Sequence, residues 1–235
     1  MRVQLLRHSI GDYDNKAELF LPEFVDIIDI KTREKSIEYL QQFNSKATYG
    51  NLNELTNSEL NRYIKFSPIQ DAEFRFYIDG SISVMDVKFF KTCIDLLNSN
   101  NKEILFFLHP LRSSLHDEVD ACFLLSKINY KERKNILKYI SSADNPTNVT
   151  QNGFHLIKNT DESNNFLKAV SRNLANFYFR DQLVVPFTTP QTKVNIYYDN
   201  WPDILFVEKH RLGLFSRFKK KLNFLLRRLI LEIYQ

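Results

Sequence analysis

The sequence predicts an α/β domain with a mixed, mostly parallel sheet flanked by helices, followed by a basic amphipathic helix. Three observations carry this. Short apolar runs alternate with segments of helical spacing along most of the chain. The 235 residues are 43% hydrophobic and 26% charged, ordinary for a soluble domain with a real core. The last 27 residues switch to a dense mixture of Leu, Phe, Lys and Arg.

Taken in order, Val3–Leu6 reads as a first strand, followed by a turn-like segment from His8 to Asp14. Phe24–Ile30 reads as a second strand, and Glu34–Phe43 has helical spacing through Ile37, Leu40 and Gln41. Ser45–Asn57 is polar and reads as a loop, and Ser58–Phe66 as a helix capped by Asn57 or Ser58. Ala72–Ile78 is an apolar strand that stops abruptly at Asp79-Gly80, and Met85–Asn98 is a helix burying Val87, Phe90, Ile94 and Leu97. Ile104–Leu108 is a continuous apolar run ended by His109-Pro110. Asp117–Ile128 and Lys131–Ile140 read as two helices, Phe154–Ile157 as a weak strand, Asn164–Phe179 as a long helix running into Arg180-Asp181-Gln182, and Thr192–Tyr198 as a last strand. The expected division is a domain over residues 1–208 and a tail helix over 209–235.

Composition excludes several function classes. With only 5 Gly and neither a G-x-x-x-x-G-K-[ST] nor a G-x-G-x-x-G run, a nucleotide must be held by something other than a glycine-rich phosphate loop. Cys93 and Cys122, each in an apolar stretch, make neither a disulfide framework nor a zinc site. No stretch approaches the roughly 20 apolar residues that span a bilayer, and the N-terminus is too polar for a signal peptide, so a cytoplasmic location is expected.

The carboxyl ends of strands in open α/β sheets are where ligands bind. Asp79 followed by a permissive Gly80 suits a cation, a ribose hydroxyl or a sugar there, and it also suits a plain turn. Arg62 and Lys65 lie one turn apart on a helix candidate and suit phosphate oxygens, or a solvated face. Asp117 and Glu118 open a helix, where acidic residues are favoured by the macrodipole with no catalysis involved.

Five short motifs sit where an element meets a loop: Gly11-Asp12-Tyr13-Asp14, Asn61-Arg62-Tyr63-Ile64-Lys65, Asp79-Gly80-Ser81, His109-Pro110-Leu111-Arg112 with Asp117-Glu118 downstream, and Arg180-Asp181-Gln182. In order and approximate spacing this set resembles the mucilage-related glycosyltransferase-like domain family, over roughly residues 1–190. The resemblance implies a GT-A-like fold and transfer of a sugar from a nucleotide-sugar donor to a hydroxyl of a growing glycan, lipid-linked or at a cell surface. It implies donor contacts from Gly11, Asp12, Tyr13, Asp14, Arg62, Lys65, Asp79, Gly80 and Ser81, and acceptor contacts from His109, Arg112, Arg180 and Gln182. Asp181, or else Glu118, is implied as the base that deprotonates the acceptor. A divalent cation, Mn²⁺ or Mg²⁺, is implied at Asp79; His210, beyond the stretch that carries the resemblance, is a further candidate ligand. The sequence departs from the usual Asp-x-Asp of that fold, since Ser81 stands where the second carboxylate belongs. The competing reading keeps the fold and makes the chain a non-catalytic scaffold of a glycan-assembly complex at a membrane.

Net charge is uneven. Lys209–Gln235 holds eight Lys/Arg and one Glu, a charge of +7, while the other 208 residues hold 24 basic and 27 acidic residues, a charge of −3. Leu214, Phe218, Leu222, Leu225, Leu229 and Ile233 recur every three or four residues, with Lys and Arg flanking them. That pattern predicts a helix lying on an anionic membrane surface at the cytoplasmic face. A final helix packed on the protein is the alternative, and nucleic acid is a poorer fit because Leu and Phe dominate.

Overall fold

The computed structural model describes residues 1–9, 17–43, 50–142, 148–176, 180–207 and 214–233. These divide into two compact units, one formed by residues 1–110 with 150–209, the other by 111–149 with 210–235.

The first unit is a six-stranded sheet between helical layers. Strands β1 (Val3–His8), β2 (Val25–Ile30) and β3 (Phe74–Asp79) pair in parallel, with β1 in the middle. β6 (Thr150–Lys158) is antiparallel to both β3 and β5 (Ile104–Leu108), and β7 (Ile196–Asp199) adds to β5 in parallel. The order is β2-β1-β3-β6-β5-β7, so five strands share one direction and β6 alone runs against them. A small antiparallel ribbon, β4 (Ile82–Val84) with β8 (Leu205–Val207), follows the end of β3.

Alternation along β3 sends Phe74, Phe76 and Ile78 to one face, and Arg75, Tyr77 and Asp79 to the other. The first set packs with Phe89, Phe90, Cys93, Ile94 and Leu97 of α3 (Lys88–Ser99). On the opposite face lie α1 (Arg33–Gln41), α2 (Asn57–Lys65), α6 (Asp161–Asn176) and α7 (Asp181–Thr188), contributing Leu40, Leu60, Ile64, Phe166, Val170 and Val185 to a second core. Burying one such side chain is worth about 1.5–3 kcal/mol. A cation sits within this second face. Arg75, 1% exposed, donates to Ser67 Oγ at 3.1 Å, Pro68 O at 3.0 Å and Ser67 O at 2.7 Å, tying the segment after α2 to the middle of β3.

Several boundaries differ from the sequence expectation. The helix α2 is capped by Thr56, not Asn57 or Ser58: Thr56 Oγ1 accepts from the Glu59 N–H, and Glu59 accepts from the Thr56 N–H in return. β6 is nine residues long, more than twice the expected Phe154–Ile157, because its polar beginning is buried with Thr150 donating to Asn152 at 2.6 Å. Arg180-Asp181-Gln182 does not end the long helix. α6 is described as far as Asn176, and Arg180, in extended backbone, precedes the separate helix α7 that Asp181 opens.

In the second unit, α4 (Leu115–Leu124), α5 (Tyr130–Ser142) and α8 (Leu214–Ile233) gather around Phe123. Arg133 and Arg227 lie over that ring at 6.0 and 4.8 Å, and Arg227 also donates to the carbonyls of Phe123 and Ile128, both at 2.7 Å. The helix α8 therefore docks through Arg227 and the buried Leu231, while Leu222, Leu225, Leu226 and Leu229 are about half exposed. No described helix is long and apolar enough to cross a membrane.

Candidate active site

The site is built at the carboxyl ends of β1 and β3, where His8 and Asp79 stand in register. Asn61 and Lys65 fall on one face of α2, four residues apart, and reach over the end of β3. Tyr77 OH donates to Asp79 Oδ1 at 2.7 Å and lies 2.8 Å from Asn61 Oδ1. The Lys65 ammonium is 3.3 Å from Asp79 Oδ1, 3.5 Å from Oδ2 and 2.9 Å from Asp181 Oδ2, and it lies 5.0 Å from the centre of the Tyr77 ring.

Burial works against charge here, and the pairing overcomes it. Burial alone pushes the Lys65 ammonium down, but Asp181 and then Asp79 pull it above its ordinary value. Burial likewise pushes Asp181 up, and Lys65, Arg180 and Arg62 together hold it well below the usual carboxylate range. Asp181 also gains from its place in the first turn of α7. Lys65 thus contacts both carboxylates, Asp79 and Asp181, while the charges of Arg180 and Arg62 act on Asp181. Asp79 is the opening to solvent, with its side chain 30% exposed against 6% for Lys65 and 5% for Asp181.

Two residues not singled out by sequence complete the wall. Gly153 of β6 lies against Asp79: a Cβ there would come 2.7 Å from Ile82 Cδ1 and 3.0 Å from Asp79 Oδ2. His8, read from sequence as the start of a turn-like segment, is 1% exposed, and its Nε2 is 3.1 Å from Ser36 Oγ. Burial pushes it down to about 4, against the pull of the Asp79 carboxylate, so it is neutral at pH 7. The strand runs two residues past the expected Leu6, which is what brings His8 to its end. Gly153 offered only its rarity as one of 5 glycines.

The structure brings together Arg62, Lys65, Asp79, Gly80, Arg180 and Asp181 of the expected set, with Ser81 and Gln182 adjacent in the chain. Gln182 Oε1 is buried with no hydrogen-bond partner among the described residues. Gly11, Asp12, Tyr13, Asp14 and His210 lie outside the described residues. His109 follows β5, in the first unit, whereas Arg112 and Glu118 belong to the second.

Two expected roles are corrected. Asp181 is a poor general base, since it is 4% exposed, engaged by Lys65 and held strongly ionised; it positions Lys65. Glu118 is fully buried on α4, where Oε2 accepts from Arg112 at 2.6 Å and Oε1 from Cys122 at 3.1 Å. It is a packing ion pair with neither oxygen open to a substrate. Asp117 closes a capping box with Ser114, as its helix-start position allowed.

No protein-family model and no curated protein matches the sequence. Among solved structures, the chain is similar to mouse xyloside xylosyltransferase 1 in its apo form, with a TM-score of 0.46, 8% identity, and 84% of this chain and 85% of that chain covered. It is also similar to A197 from STIV, with a TM-score of 0.34, 12% identity, and 91% and 97% of the two chains covered.

Proposed function

We propose that the chain is a glycosyltransferase that binds a nucleotide-sugar over the ends of β1 and β3 and passes the sugar to a glycan hydroxyl. The observation that carries this reading is the Lys65 ammonium clasped by Asp79 and Asp181, with Arg62 and Arg180 beside it. Five charged residues from three separate motifs converge on one strand end, the place where an α/β sheet receives a ligand. Their surplus of one positive charge suits a diphosphate. The test is a thermal-shift screen against UDP-, GDP-, CMP- and dTDP-sugars. The expected outcome is stabilisation by one nucleotide class, about 2.7 kcal/mol at a hundredfold excess over Kd, lost in Asp79→Ala, with release of free nucleotide when acceptor glycan is supplied. Stabilisation by none of the four classes would favour the scaffold reading.

Attachment to an anionic membrane face belongs to the same proposal and has its own support. The leucine stripe of α8 is turned outward, while a cationic residue, Arg227, makes the inward contact. Lys127, Lys220 and Lys221, with Phe224, line a cleft of about 630 Å³ beside it. Apolar side chains flanked by lysines match a leaflet of anionic headgroups. Wild type should float with vesicles containing phosphatidylserine and not with neutral ones, and Leu225→Ser/Leu229→Ser should abolish flotation. Equal behaviour of the two proteins would remove the membrane from the proposal.

A further inference from the structure

We propose that this site takes its diphosphate ligand without a divalent cation, the Lys65 ammonium standing where a metal ion would be expected. The inference rests on the donor-site reading above and concerns what neutralises the phosphates there.

The residues present do not fit a metal. Mg²⁺ and Mn²⁺ need as little as one or two carboxylates, with substrate phosphates and water completing the shell, so the number of ligands is not the obstacle. The obstacle is that the carboxylates already have a cation. Asp79 Oδ1 accepts from Tyr77 and is in contact with Lys65, and Oδ2 lies near both the same ammonium and the Gly153 backbone. The second carboxylate that could bridge an ion is Asp181, and it holds Lys65 at 2.9 Å. A metal at Asp79 would have to sit beside a buried ammonium or displace it. Displacement would strip a nine-tenths buried lysine of both counter-charges, which burial penalises heavily. Among the described residues no three His, Cys, Asp or Glu side chains are grouped to hold an ion. His8 is the nearest further donor, and its Nε2 is directed to Ser36 Oγ.

The charge count agrees. Lys65, Arg62 and Arg180 with Asp79 and Asp181 already sum to one net positive charge with no ion at all, and a divalent ion added to the same five groups would raise it to three. Ser81, which occupies the place of the absent second carboxylate of an Asp-x-Asp, follows from the same logic. With an ammonium supplied by α2, a second acid at that position has no cation left to bind.

Two measurements on the full chain decide the matter. In the first, Mn²⁺ is titrated with the protein and followed by electron paramagnetic resonance, with and without UDP. The free-ion signal should be no smaller with protein and UDP than with UDP alone. Loss of that signal on adding protein would overturn the inference whatever the donor proves to be. In the second, binding of UDP, GDP, CDP and dTDP is measured by calorimetry in excess EDTA and in excess Mn²⁺. The nucleotide that binds should do so at least as tightly in EDTA as in Mn²⁺, which competes for the diphosphate oxygens. A Kd more than about tenfold lower in Mn²⁺ overturns the inference and leaves the donor site standing. Absence of binding in both conditions overturns the donor-site reading and this inference with it. Lys65→Ala gives a positive control, because it frees Asp79 and Asp181; Mn²⁺ binding should appear in the variant and not in wild type. If circular dichroism shows that Lys65→Ala does not fold, the wild-type resonance measurement still decides.

Discussion

The ammonium of Lys65 lies 2.9 Å from Asp181 across 116 residues of chain, both side chains almost fully withdrawn from water. Removing one partner of such a pair leaves the other charge buried alone, which typically costs 3–5 kcal/mol, roughly. Lys65→Met should destabilise the first unit by about that amount in urea denaturation. Lys65→Met/Asp181→Leu should recover most of the loss, because the stranded carboxylate is gone. A double variant no more stable than the single would show that the pair matters for packing and not for charge.

Stability should fall on mild acidification. His8 is held at about 4 in the folded protein and titrates near its ordinary value when unfolded. Below pH 6.5, roughly, the unfolded chain takes up a proton that the native state refuses, so stability present above that pH is lost as the pH falls toward about 4. The loss from His8 alone is about 3 kcal/mol. His155 is shifted in the same direction, first by burial and then by Arg75 and Lys65, and adds to the slope. His8→Gln should flatten part of this slope in urea titrations between pH 4 and 7, roughly the window the shift defines. An unchanged slope would place His8 in contact with water.

Outside that window the Lys65–Asp181 pair contributes at both ends. Asp181 is depressed, so its contribution exists above the unfolded value of about 3.9 and disappears in stronger acid. Lys65 is raised, so its contribution is complete below about 10.4 and is lost at higher pH. Urea midpoints should therefore form a plateau from about pH 6.5 to 8.5, above which the unfolded chain can ionise Cys93 while burial in the native state resists it. The fall above about pH 10 should be shallower in Lys65→Met, with the part due to the buried Cys93, Tyr63 and Tyr198, all pushed up by burial, remaining.

Gly153→Ala should damage ligand binding more than folding. The added methyl meets Ile82 Cδ1, the movable end of a side chain, and also the Asp79 carboxylate. Overpacking of this kind costs about 1–3 kcal/mol. Gly153→Ala/Ile82→Val should regain stability yet bind nucleotide as poorly as Gly153→Ala, since only the first collision is relieved. Recovery of both together would mean that Asp79 is undisturbed.

Arg227→Leu should loosen α8 while leaving the sheet unit intact. The substitution deletes two hydrogen bonds and the contact over Phe123. Hydrogen exchange should accelerate along Leu214–Ile233 and remain unchanged in β3 and β5. Uniform protection throughout would show that Leu231 alone docks the helix.

The legible parts of the fold were those where a local pattern suffices. Ile104–Leu108 was read to the residue because it is continuously apolar and ended by His109-Pro110. β6 was underread because Thr150, Gln151 and Asn152 look like a loop until Thr150 and Asn152 satisfy one another in the interior. The start of α6 was placed late because the Thr160/Ser163 pair that begins it reads as polar loop. At the site, Lys65 and Asp181 each sit in a short motif, but their contact spans 116 residues of chain and no local pattern announces it. Tyr77 and Gly153 were invisible as site residues, since nothing in their neighbours announces what they touch.

Arg75 gives the site its stiffness. With one guanidinium fastened to the backbone just beyond α2, and Lys65 fastened to the end of β3, the helix and the strand are joined at two points. Neither can shift along the other without breaking a buried ionic or hydrogen-bonded contact. The ammonium is therefore in place before any ligand arrives, and binding spends little entropy on arranging it. On the proposed reading, nucleotide capture should be a fast, single-step event limited by encounter.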